Sequence, residues 1–440
     1  MFYSAGIVLI YFTLCCFAIF KFKSIQIRET SLTNNLLLFS LKVVFSFILG
    51  YYYFRYGAGG DTFTFFNSSK IISDLAFSDP IIFLKIITGT GSDQEINVIY
   101  NSINGWNTYD RVFNDSRTII RLNAMIGLIS FGNYYVHAIL FAFLSYIGSV
   151  GIYKFIKITS SISEKWIIVA VFLIPSVLFW TSGANKEAVL IFVLGMCLYQ
   201  FALLVHSKNK FVHFTYFALL CLVFVHIKAY ILVLLLPALI SLAWSNRNLH
   251  LRSWSKYLII YSLFFGAILL IQYTNKTMDA FDILHSKRYN FEAFVQSAPN
   301  DNKSYIILTD FEPTLKSILN AAPSAFFSTL IRPWFGDIKS FFSFLVSIEN
   351  MTMIFLLIWS LFKSKSLAFK VNSNLIWFCI FFTISNFVLI GLTTPVLGAV
   401  VRYKAPILPF LMIIPFLITP KNYDENSYTF DVTKKPSNPL

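Results

Sequence analysis

Residues 2–28 read FYSAGIVLIYFTLCCFAIFKFKSIQIR. The run from Phe2 to Phe20 holds no charged residue, and Lys21, Lys23 and Arg28 follow it. In hydrocarbon every backbone polar group must be satisfied within its own segment, so such a run is a helix. About 20 residues at ~1.5 Å each cross a layer of roughly 30 Å. No positive residue precedes the run, so it is not a cleavable signal peptide. Its polarity places the N-terminus outside and the basic loop inside.

Runs of the same kind recur near 36–56, 134–153, 166–182, 187–205, 212–227, 229–244, 257–274, 341–362, 374–392 and 405–419. The two within 212–244 are short enough to form one hairpin that does not fully cross. The 440 residues are 57% hydrophobic and 13% charged, where soluble domains carry about 25% charged residues. The runs do not alternate as the ~10-residue strands of a membrane barrel would. The expected fold is therefore all-α: a polytopic transmembrane helix bundle of about 11 spans, with the C-terminus cytoplasmic. It forms a single domain over 1–420, with outer loops 57–133 and 275–340. The polar stretch 421–440 is expected to be a disordered cytoplasmic tail.

The net charge of +14 has its explanation in the loops. Lys21, Lys23 and Arg28; Lys154, Lys157 and Lys165; Lys208 and Lys210; Arg247, Arg252 and Lys256; and Lys363, Lys365 and Lys370 all fall on one side of such a bundle. Agreement among five loops is the main support for the span count. No basic tract interleaved with aromatics lies in a soluble stretch, so nucleic acid is not an expected partner. Cys15, Cys16, Cys197, Cys221 and Cys379 lie in apolar runs and read as small buried hydrophobes. No H-E-x-x-H or Cys/His spacing is present, so no metal ligand is assigned, and neither a Walker loop nor a dinucleotide loop occurs.

The first outer loop predicts surface helices at Thr62–Phe77, Pro80–Thr88 and Arg117–Phe131. In the last, Arg117 and Arg121 lie opposite Ile119, Ile126 and Ile129. A polar stretch runs from Gly89 to Asp115. Five polar clusters then interrupt the apolar sequence, all on the outer boundary of the expected topology. Gly59-Gly60-Asp61-Thr62 follows a span. Its glycines permit a tight turn, and Asp61 is a candidate general base; the plainer reading is a glycine-capped helix end with a solvated Asp. In Trp180-Thr181-Ser182-Gly183-Ala184-Asn185-Lys186-Glu187, Asn185 is a candidate N-cap. Lys186 and Glu187 are either an interfacial ion pair or groups facing a polar cavity. His226 and Lys228 fall at the next turn, where a snorkelling lysine is the plainer role.

The fourth cluster is Arg332-Pro333-Trp334-Phe335-Gly336-Asp337, with Glu349 two turns into the next span. Arg332 suits a phosphate or carboxylate, and Trp334 suits a membrane-interface belt or a sugar face. The fifth, Arg402-Tyr403-Lys404-Ala405-Pro406, opens the last span with two cations on the side where flanking cations are not expected. Together these clusters set carboxylates and cations at one depth. That inventory suits a reaction on a lipid carrying an anionic phosphate.

At these residues the chain resembles bacterial polytopic GT-C-class membrane glycosyltransferases and related polysaccharide polymerases. The resemblance rests on the Gly-Asp motif opening the first large outer loop, the surface helices of that loop, and Arg-Tyr-x-x-Pro-x-x-Pro at the final span. Phe-Trp-Thr-Ser-Gly-Ala-Asn-Lys-Glu and Arg-Pro-Trp-Phe add to it. It implies a polyprenyl-phosphate-linked sugar donor, a glycan or lipid-linked acceptor, and transfer at the periplasmic face of a bacterial inner membrane. The family's loop acid would map to Asp61. The chain departs from the pattern in having that loop after the second span, a lone Asp, and no soluble C-terminal domain. A divalent metal cofactor stays open. The candidate catalytic residues are Asp61 and Glu187. The candidate binding residues are Lys186, Lys228, Arg332, Trp334, Glu349, Arg402, Tyr403 and Lys404. The expected alternatives are a lipid-linked glycan polymerase and a transporter or flippase of lipid-linked glycans.

Overall fold

The computed structural model describes residues 2–56, 60–91, 115–247, 251–274, 279–297, 304–364 and 371–419. The expected tail, Gly57 and Gly59, and most of the polar stretch 89–115 lie outside these residues. The described residues form 17 helices and no sheet. They are α1 Phe2–Lys21, α2 Leu32–Tyr56, α3 Gly60–Ser78, α4 Pro80–Thr88, α5 Asp115–Ser130, α6 Tyr134–Thr159, α7 Glu164–Phe172, α8 Pro175–Ser182, α9 Lys186–His206, α10 Lys210–Ser245, α11 Ser253–Thr274, α12 Ala280–Ser297, α13 Leu315–Ile331, α14 Phe341–Lys363, α15 Ser373–Thr393, α16 Leu397–Lys404 and α17 Leu408–Ile418.

Seven of these (α2, α6, α9, α10, α11, α14 and α15) are long and apolar enough to cross a membrane, and two broken pairs, α7 with α8 and α16 with α17, bring the number to 9. The chain is thus a multi-pass membrane protein. The two further spans expected from the sequence fall at α1, whose apolar part Ala5–Lys21 is shorter, and within α10. There the stretches 212–227 and 229–244 belong to one element of 36 residues, interrupted only at Lys228 (φ −154°, ψ 81°). No Gly, Asn or Pro marks that point, so one extended residue does what a turn was expected to do. The break before α8 has a plain local cause. Pro175 cannot donate a backbone hydrogen bond and holds Ile174 extended (ψ 120°).

The described residues group into two compact units. Unit 1 draws on Met1–Phe155, Phe172–Leu236 and Val401–Pro406, and unit 2 on Ile156–Val171, Pro237–Val400 and Ile407–Leu440. In unit 1, α2 packs on α8, α3 and α6. Asn35 at its start is fully buried. The Asn35 Oδ1 accepts from the Ile27 amide at 2.8 Å and from the Tyr146 hydroxyl at 2.8 Å, which ties the first basic loop to α6. Lys154 donates to the Ser24 carbonyl at 2.5 Å and lies 5.1 Å over the Tyr199 ring. The segments that carry Lys21–Arg28, Lys154 and the end of α9 therefore gather at one end of unit 1. α6 and α9 cross backbone to backbone. A Cβ on Gly148 would meet the Ile191 carbonyl, and one on Gly195 would meet Gly148. Small residues permit this approach between membrane helices.

The helices expected in the first loop form at the expected places. α4 begins on Asp79, whose carboxylate accepts from the Ile82 amide at 3.1 Å, has Pro80 in its first turn, and ends on Gly89 at φ 75°. One expectation is overturned. Arg117 is buried at 6% exposure together with Ile119, while Ile129 is 49% exposed. The cause is that α5 packs along α3 rather than lying alone on a surface. Gly127 faces Ser73, whose hydroxyl donates to the Ala124 carbonyl at 3.0 Å.

In unit 2, α15 is central, with α11, α12, α13 and α17 against it. Asn374 accepts from Ser253 at 2.7 Å and donates to the Ser245 carbonyl at 3.2 Å, while Asn372 donates to the Leu417 carbonyl at 3.3 Å. The Ser161 amide donates to Asn372 at 3.4 Å. The chain segments next to three basic loops and the end of α17 thus meet at one end of unit 2. At the opposite end of α15, Leu392 packs with Phe311, Ala321 and Ala325.

Two outcomes follow. Gly195→Leu lowers stability by about 1–3 kcal/mol or prevents folding, whereas Gly266→Leu, with no atom within 4 Å of the added Cβ, leaves the thermal unfolding temperature in detergent unchanged. In a cysteine-free background, an impermeant maleimide labels cysteines introduced at Ser24 and Ser207 from one side of the membrane and at Asn133 from the other.

Candidate functional site

The site is built where α2 ends and α3 and α9 meet the parts of α10 and α16 that belong to unit 1. Gly60 adopts φ 45°, and the Tyr53 ring stands where a side chain would project. Only glycine fits this close, left-handed turn. The turn sets Asp61 in the first turn of α3 rather than in a solvated loop. Thr62 then anchors α3: its hydroxyl donates to the Ala184 carbonyl at 3.0 Å and lies 2.8 Å from the Tyr134 hydroxyl. Asn185 caps α9, accepting from the Ala188 amide at 3.1 Å and donating to the Trp180 carbonyl at 2.8 Å. That cap fixes Glu187 one residue inside the helix.

Glu187 is fully buried between two cations. One oxygen lies 3.3 Å from Lys228 Nζ and the other 2.8 Å from Arg402 Nη2. Arg402 Nη1 lies 2.5 Å from Asp61 Oδ2. The four groups form a row of alternating charge: Asp61, Arg402, Glu187, Lys228. Exposure falls along it, from 35% at the Asp61 side chain to 12% at Arg402 and 0% at Glu187. Two aromatic rings complete the enclosure. Lys228 lies 4.4 Å over Tyr403, and Arg402 lies 5.9 Å over Trp180. The Arg402 Nε is buried without a hydrogen-bond partner among the described residues, a donor that a ligand or water oxygen would satisfy.

Of the residues singled out in the sequence, Asp61, Glu187, Lys228, Arg402 and Tyr403 are brought together here. Arg402 and Lys404 lie in the last turn of the short helix α16, at the break before α17, rather than opening the last span, which as a broken pair begins at Leu397. Lys404 is buried. Lys186 turns to α5, donating to Ser116 at 2.8 Å and lying 5.5 Å over the Phe65 ring. Arg332, Trp334 and Glu349 belong to unit 2. There Arg332 lies 3.8 Å from Asp337, Trp334 is half exposed, and Glu349 is 9% exposed beside Asn350, which donates to the Pro333 carbonyl at 3.0 Å.

Two residues escaped the sequence reading, and Trp180, quoted in the second cluster, had no role assigned to it. Tyr53 lines the site with Trp180, and nothing in its apolar surroundings marks it. Lys42 lies fully buried inside α2, 2.8 Å from Ser145 and 3.5 Å from Thr181. A lone cation in an apolar run was the available signal. Comparison with known proteins finds no matching family model, no similar curated protein and no similar solved structure.

The gradient of exposure separates the two carboxylates. Glu187→Gln leaves two buried cations short of a partner and lowers stability by about 3–5 kcal/mol. Asp61→Asn, at the rim, lowers it by about 1 kcal/mol. Unfolding of the two purified variants in detergent measures the difference.

Proposed function

We propose that the protein is a membrane glycosyltransferase that takes its sugar or glycan from a polyprenyl-phosphate-linked donor, at the membrane face opposite the basic loops. The single observation that carries this is the Asp61–Arg402–Glu187–Lys228 row, in which only Asp61 is substantially open to solvent. A reaction at this rim needs a base for the acceptor hydroxyl and a cation for the leaving phosphate. Asp61 and Arg402 are those two groups in this reading. The acceptor oxygen attacks the anomeric carbon, Asp61 takes the hydroxyl proton, and the bond from that carbon to the phosphate oxygen breaks. Arg402 stabilises the charge that collects on the phosphate. Glu187 and Lys228 do not touch the reactants; they hold the guanidinium in place. A lipid-linked glycan polymerase would use the same groups on a larger donor.

The topology supports this reading. Asn35 lies near the basic end of unit 1 and Tyr53 beside the charged row. The 18 residue steps of α2 from one to the other span about 27 Å, close to one hydrocarbon thickness. In a bacterial inner membrane with the basic loops cytoplasmic, the row is periplasmic. A second reading, a transporter of lipid-linked glycans, is favoured by Lys42. Transporters place charged groups inside spans, and Lys42 meets two hydroxyls, Ser145 and Thr181, and the Phe172 ring at 6.0 Å.

Purified protein is given radiolabelled polyprenyl-phosphate and polyprenyl-diphosphate sugars, with and without Asp61→Asn. The expected outcome is consumption of one donor by the wild type and a loss of about 10²-fold or more in the variant, with the variant still folded. Full activity of Asp61→Asn removes its role. Labelled lipid crossing a proteoliposome bilayer without donor consumption, and stopping in Lys42→Met, would favour the transporter.

A further inference from the structure

Unit 2 carries a constellation to which none of the residues assigned above belongs. The helix α12, the extended segment 304–314 and the first turns of α13 enclose an open cleft of about 570 Å³. That is within the range of roughly 300–1,000 Å³ seen for small-molecule sites. The cleft stands at the end of α15 away from the basic loops, because its Phe311 packs on Leu392.

Its floor is rigid. Arg288 is 6% exposed. It donates from Nε to Glu292 at 2.9 Å, from Nη1 to the Thr309 carbonyl at 2.7 Å and from Nη2 to Asp310 at 2.7 Å. Its guanidinium lies 5.5 Å over the Phe311 ring, and His285 meets the same ring edge-on at 5.9 Å. The walls are exposed side chains by contrast: Tyr289, 65% exposed, with Glu312, Lys316 and Asn320.

The charge pattern selects the ligand. An anion would face three carboxylates, Glu292, Asp310 and Glu312, and an arginine whose donors are largely committed. A cation would face Arg288 and Lys316. An apolar ligand would bury these groups without hydrogen bonds, at a cost. A neutral polyhydroxyl compound matches the set. Carboxylates accept from hydroxyl pairs, Lys316 and Asn320 donate, and the Tyr289 ring offers a flat face to C–H groups. We propose that this cleft binds the neutral sugar units of an oligosaccharide. Calling that oligosaccharide the acceptor rests on the glycosyltransferase reading, whereas glycan binding at the cleft does not.

The test uses the full chain in lipid nanodiscs and a panel of neutral trisaccharides built from glucose, galactose, mannose or N-acetylglucosamine, observed by saturation-transfer NMR. The expected result is saturable binding of at least one trisaccharide, weakened about tenfold by Tyr289→Ala and by Glu312→Gln. Both side chains are exposed, so both variants fold, which their thermal unfolding verifies. Absence of saturable binding across the panel overturns the proposal, as does binding unchanged in both variants. Donor consumption without trisaccharide binding sinks the cleft alone. Binding lost in the two variants, in a protein that consumes no donor, sustains the cleft and sinks the glycosyltransferase reading.

Discussion

A fully buried carboxylate, Glu187, holds together chain segments that are remote from one another. Removing a carboxylate from water costs several kcal/mol unless cations compensate it at close range. Here Lys228 compensates at 3.3 Å and Arg402 at 2.8 Å. Each cation arrives on a different helix, so the pairing fixes the register of α9 against α10 and α16 at this end of unit 1. Lys228 is also the residue at which α10 leaves helical geometry. The ion pair and the break coincide, and the ammonium reaches Glu187 from the point where the helix changes course.

The same row has a closed end and an open one. Glu187 has no contact with solvent. Asp61 lies at the open end, on a turn that Gly60 alone can make against Tyr53. Thr62 locks that turn to the Ala184 carbonyl, so the carboxylate is held by backbone and packing rather than by a flexible loop. Arg402 is shared between the two acids.

Much of the frame was legible in the chain because its signals are local. The apolar runs appear as helices. The ends of α4 follow from Asp79, Pro80 and Gly89, and Asn185 caps α9, because a cap involves residues three or four apart. The misreadings share a cause. Arg117 was set on a polar face by helical periodicity, but periodicity does not show that α3 covers that face. The outer-loop reading of 275–340 did not show the cleft, since a cleft walled by charged side chains has the composition of a surface. Lys42 stood alone in an apolar run, and its hydroxyl partners Ser145 and Thr181 come from other helices.

Hydropathy and charge placement in the sequence by themselves determined that this is a multi-pass α-helical protein. Both depend on composition over a single run, and no partner needs to be known. The inventory of candidate charges was also visible. Only the tertiary structure decided which charges meet. Asp61 and Arg402 are 341 positions apart, and their interaction depends on distance and burial, which no local pattern encodes. The same is true of the break at Lys228, where long-range pairing rather than a turn-forming residue marks the point at which the helix gives way.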